Sequence, residues 1–66
     1  MNIIKDEATD TVRFTNFTNE TNIVFLLILR YLKEKDIKYI QTPNTINISR
    51  YDFDVMKATL GNELFH

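Results

Sequence analysis

The residues able to do chemistry are few in this chain. The one histidine, His66, is the last residue given, and there is no cysteine. Disulfides, thiolate nucleophiles and thiolate zinc sites are therefore excluded. A serine or threonine nucleophile would lack its base, because an end residue is poorly held. Asp52 and Asp54 are two apart in a stretch with helical spacing, so their carboxylates diverge by about 200° and cannot act as a pair. As members of a first helical turn they favour the dipole instead. Asp6, Glu7 and Asp10 could gather in a turn and attract a cation, but no calcium-loop pattern surrounds them, and they read as a solvated loop. Gly61 is the only glycine, which rules out the glycine-rich loops that cradle nucleotides. No enzyme activity is expected, and no catalytic, cofactor-binding or metal-binding set.

One basic constellation remains. Arg30, Lys33, Lys35 and Lys38 stand close in sequence to Tyr31 and Tyr39, with Arg13 on an earlier segment, and cations interleaved with aromatics can track a phosphate backbone. Against this, Glu34 and Asp36 interrupt the lysines, and the tyrosines fall on the core side of their elements. The formal net charge is −1, whereas nucleic-acid domains are usually strongly basic. Nucleic-acid binding or transcriptional regulation through Arg13, Arg30, Lys33, Lys35 and Lys38 is the alternative reading, not the leading one.

The elements that would position these residues follow from periodicity. Asn2–Lys5 and Thr11–Thr15 are β-prone and flank the polar run Asp6–Asp10, which can close a hairpin. In the second strand Val12 and Phe14 face one way and Thr11, Arg13 and Thr15 the other. A helix is expected from near Thr18 or Asn19, where hydroxyl and amide side chains can cap it, through Lys35. Its wheel puts Val24, Phe25, Ile28, Leu29 and Leu32 on one face. The apolar run Ile23–Leu29 is ended by Arg30, well short of the roughly 20 residues a membrane span needs.

Asp36–Thr42 and Thr45–Ser49 then flank Pro43-Asn44, which suits the centre of a tight turn. A two-residue loop sets Gln41 opposite Ile46 and Tyr39 opposite Ile48, which groups Ile37, Tyr39, Ile46 and Ile48 on one face. The open face would then carry Thr11, Arg13, Thr15, Lys38, Ile40 and Asn47, without the aromatics of a base-stacking sheet. Ser49 with Asp52 resembles a capping box opening a second helix from Arg50 to about Leu60, with Phe53, Met56 and Leu60 as its stripe, and Gly61 can end it. The expected architecture is α+β: a ββαββα domain, antiparallel sheet with two helices on one face.

A chain of 66 residues buries only about 60% of its unfolded surface, and such a core rarely supplies more than roughly 3–5 kcal/mol. With disulfide and metal excluded, association is the remaining source of stability. Ile23 and Leu26 do not fit the buried side of the first helix, and Leu64 and Phe65 form a tail that either folds back or docks elsewhere. The surplus points to a small non-catalytic protein-binding module, an inhibitor or adaptor of a larger protein, with homodimerisation expected. Its partner-binding residues would be Ile23, Leu26, Leu64 and Phe65, and a sheet edge is a second possible surface. The opening Met1-Asn2-Ile3-Ile4-Lys5-Asp6-Glu7 is charged almost at once, so no signal peptide is read and a cytoplasmic location is expected. On that basis the sequons at Asn16, Asn19 and Asn47 are read as unused. The abundance of Asn, Ile, Lys and Thr fits an AT-rich genome, such as that of a low-GC bacterium or its phage.

Overall fold

The computed structural model describes residues 1–65. It shows the expected ββαββα order, with a four-stranded antiparallel sheet in the order β1-β2-β4-β3 and both helices packed against one core. Strands β1 (Asn2–Asp6) and β2 (Thr11–Thr15) pair from Asn2↔Thr15 to Asp6↔Thr11. The loop between them is closed by the Ala8 N–H donating to Asp6 Oδ1 at 3.0 Å. Asp10 takes a left-handed backbone there, φ 54°, which Asp tolerates better than most residues.

The first helix, α1 (Asn22–Glu34), starts later than the composition suggests. Thr18 and Thr21 bond each other: the Thr18 N–H donates to Thr21 Oγ1 at 2.7 Å, and the Thr21 N–H to the Thr18 carbonyl at 3.1 Å. A separate turn uses the hydroxyl that would otherwise have capped the helix, and Thr21 precedes α1 without a side-chain cap bond.

The helix ends by a device the sequence concealed. Asp36 adopts φ 55°, the Asp36 N–H donates to the Lys33 carbonyl at 3.3 Å, and the Ile37 N–H donates to the Leu32 carbonyl at 2.9 Å. This is a Schellman closure with Asp where Gly is usual. It draws Asp36 and Ile37 into the helix end, so the strand expected from Asp36 is only β3 (Ile40–Thr42).

Strand β3 pairs with β4 (Thr45–Ser49) as Thr42↔Thr45, Gln41↔Ile46 and Ile40↔Asn47, the register a two-residue loop imposes. The expected Tyr39↔Ile48 pair does not form, because Ile37 and Tyr39 leave the ladder; both still pack on the core. In the sheet centre Val12↔Ile48 and Phe14↔Ile46 bring four buried side chains onto one face. Ile28, Leu29, Tyr31 and Leu32 of α1, and Phe53 and Met56 of α2 (Arg50–Leu60), close the core over them.

Helix α2 leaves β4 without a loop. Ser49 is at once the last strand residue and the cap, its Oγ accepting from the Asp52 N–H at 3.1 Å. Gly61, at φ 97°, turns the chain into a 3-10 turn over Asn62–Leu64. Phe65 then folds back, its ring centroid 5.9 Å from Phe14 and 5.8 Å from Phe53.

Candidate protein-interaction surface

Helix α1 is apolar all the way round in its first two turns, Ile23–Leu29. A helical stretch of that kind is ordinarily buried on every side. Here burial is confined to the second half: Ile28, Leu29, Tyr31 and Leu32 are buried, and Val24 and Phe25 are half-buried. Ile23, Leu26 and Leu27 stay 69%, 55% and 39% exposed. With Arg30 they fall at i, i+3, i+4 and i+7, a single stripe directed away from the sheet. Its C-terminal end is fixed by Arg30 Nε donating to Glu34 Oε1 at 3.0 Å across one turn. Ile23 and Leu26 are thus brought together as expected, and Leu27 belongs with them. The signal that finds Leu27 is the all-round apolarity of the segment rather than the wheel of its buried face.

The tail residues are not part of this stripe. Phe65 is only 7% exposed and belongs to the core cluster, filling the space between Phe14 and Phe53. A thin core covers its aromatics with whatever apolar side chain is nearest, and that leaves Phe65 no free face for a partner. Leu64 is half-buried against the same cluster. The turn they flank packs on α2. His66, set aside above as base or ligand, lies outside the described residues.

The sheet edges are guarded. Strand β1 is an outer strand, but Lys5, opposite Val12, points to the core side. Its Nζ lies 5.8 Å from the Phe53 ring centroid, and Lys57 Nζ lies 5.9 Å from it on the helix side. The two stems cover the ring while their ammonium groups guard the edge, since an inward-pointing charge discourages strand addition. The other outer strand, β3, has three residues and is followed by Pro43, and a short edge beside proline is a poor template.

The open face of the sheet carries the row Ile4–Arg13–Asn47–Ile40 across all four strands. Thr11, Thr15 and Thr45 occupy the neighbouring rows, and no aromatic residue stands in any of these paired positions. Asn47 Oδ1 is buried beneath its neighbours without a hydrogen-bond partner. An open groove beside it runs from Asp10 and Thr11 to Lys38 and Ile40.

This arrangement separates the basic residues of the alternative reading. Arg13 lies on the open face of the sheet, and Arg30 lies on the far side of α1, beyond the core that joins helix and sheet. Lys33 and Lys35 are exposed at the end of α1, and Lys38 lines the groove on the Arg13 side. The five do not form one continuous cationic track. Among the described residues, no three acidic or histidine side chains gather as a metal cluster, and no helix is long and apolar enough to cross a membrane. Comparison with protein-family models, curated proteins and solved structures finds no match to this chain.

Proposed function

We propose that this protein is a small non-catalytic binding module, an inhibitor or adaptor acting on a larger protein, whose contact surface is the outer stripe of α1. The observation that carries this reading is the exposure of Ile23, Leu26 and Leu27 on a stretch apolar on every side. Single exposed apolar residues are ordinary, but three on one stripe, ended by a charged pair, have the apolar centre and polar rim of an interface. The stripe gathers three exposed large apolar side chains on one helix, whereas Ile4 and Ile40 stand apart at the two ends of the open-face row and Tyr51 and Val55 lie on α2. Leu64 and Phe65 act from within the fold, holding the end of α2 against the core.

A photo-activated cross-linker at position 26, compared with one at the exposed Asp54 of α2, tests the reading in cell extract. Covalent adducts formed from position 26 and absent from position 54 are the expected result. Failure to capture any chain from position 26 would remove the stripe as an interface.

A further inference from the structure

We infer that the groove between β1 and α2 takes an extended acidic segment of a partner protein, laid antiparallel along the outer edge of β1 with a carboxylate between Lys5 and Lys57. This contact lies outside the α1 stripe and goes beyond the reading just given, adding a second surface to the same module.

The groove has a volume of about 660 Å³. Five consecutive residues, Met1–Lys5, line one side of it, and Phe53 and Lys57, one turn apart on α2, line it together with Phe65. Successive strand residues point to opposite faces. A hollow that touches all five therefore runs along the backbone edge of β1.

That edge has main-chain groups to offer. The Arg50 N–H donates to the Asp10 carbonyl, and the residues in phase with this bond, Ile48 and Ile46 against Val12 and Phe14, exchange the bonds that join β4 to β2. Alternation then turns the main-chain groups of Thr11, Arg13 and Thr15 to their β1 partners Asp6, Ile4 and Asn2. The N–H and C=O groups of Ile3 and Lys5 consequently point out of the sheet. An added strand can bond both residues, and antiparallel pairing is the more stable sense.

The residues of that strand directly opposite Ile3 and Lys5 share their face, with Cβ atoms about 5 Å apart, and project towards α2. The one opposite Ile3 meets Ile3 and Phe65, which favours an apolar side chain. The one opposite Lys5 enters between two ammonium groups, since Lys5 Nζ and Lys57 Nζ stand 5.8 and 5.9 Å from the Phe53 ring centroid. Among the described residues Arg30–Glu34 is the only ion pair, so neither lysine has a carboxylate partner there. A glutamate or aspartate in this position supplies one to both. Along the partner chain the segment is acidic, then any residue, then apolar.

The charge that guards the edge thus sorts what the edge admits. A neutral strand would leave both lysines uncompensated, and β1 of a second copy would bring another lysine to the groove. A carboxylate turns the repulsion into attraction.

Amide NMR of the whole chain, titrated with a blocked heptapeptide of threonines carrying glutamate third and valine fifth, tests the inference. Saturable shifts centred on Ile3 and Lys5, with a dissociation constant below about 1 mM, are expected. Glutamine in place of the peptide's glutamate should weaken binding about fivefold. Lys5→Met and Lys57→Met keep a stem over Phe53 and remove the charge, and each should weaken binding about threefold, with circular dichroism confirming the fold. No shift at Ile3 or Lys5 up to about 5 mM peptide would overturn the inference, as would equal affinity for the glutamate and glutamine peptides. The same shifts from acetate at equal concentration would reduce the groove to an anion site and overturn the extended segment. Shifts confined to Ile23, Leu26 and Leu27 would overturn this groove and leave the α1 reading standing.

Discussion

Ser49 and Asp52 bond each other twice: Ser49 Oγ accepts from the Asp52 N–H at 3.1 Å and donates to Asp52 Oδ2 at 2.7 Å. Because Ser49 also pairs with Thr11 in the sheet, this contact fixes where β4 ends and how α2 departs over the core. The Arg50 N–H adds a second tie, donating to the Asp10 carbonyl of the β1–β2 loop at 2.9 Å.

Replacing Ser49 by Ala removes the cap without disturbing the sheet backbone. A loss of about 1 kcal/mol is expected, equivalent to roughly 4–8 °C in Tm for a domain of this size. Thermal unfolding followed by far-ultraviolet circular dichroism measures it, and an unchanged Tm would show that the strand-to-helix junction is held by packing alone.

Asp36→Gly should act in the opposite direction to most glycine substitutions. Asp36 closes α1 at φ 55°, where a residue with a Cβ is strained and glycine is not. The variant should be more stable by up to about 1 kcal/mol, the relief of strain exceeding the extra entropy of the unfolded chain. Urea denaturation would show a higher midpoint at unchanged slope.

Phe65→Ala separates a core role from a surface role. Removing a buried phenylalanine costs about 3–5 kcal/mol, as much as a core of this size supplies. The variant should be largely unfolded at 25 °C, with its amide proton spectrum collapsed. A folded Phe65→Ala would contradict the packing of the tail between Phe14 and Phe53.

The fold was legible where local chemistry and global packing agree. The Pro43-Asn44 loop allows one register, and Gln41↔Ile46 follows from it. Val12 and Phe14 alternate as a half-buried strand must, and the structure buries both. What was hidden lies at the ends of α1. Thr18 and Thr21 are residues that cap helices and also residues that close turns, and composition does not distinguish the two uses. Asp36 takes a backbone conformation usually signalled by glycine, so the loss of Ile37 and Tyr39 from β3 had no visible marker.

The surface was legible in part for a similar reason. Ile23 and Leu26 are excluded from the core by helical geometry alone. The fate of Phe65 depends on a turn at Gly61 and on the space between two other rings, and only tertiary packing decides that.

The most direct test of the central claim, that the α1 stripe is surplus to the fold and free to bind, is the two-dimensional amide NMR spectrum of Leu26→Asp at low concentration. The account predicts a well-dispersed spectrum with shifts confined to α1 and its neighbours, and a stability within about 0.5 kcal/mol of the parent monomer, as for a surface change. Collapse of that spectrum to the narrow range of an unfolded chain would show that Leu26 belongs to the core, and would contradict it.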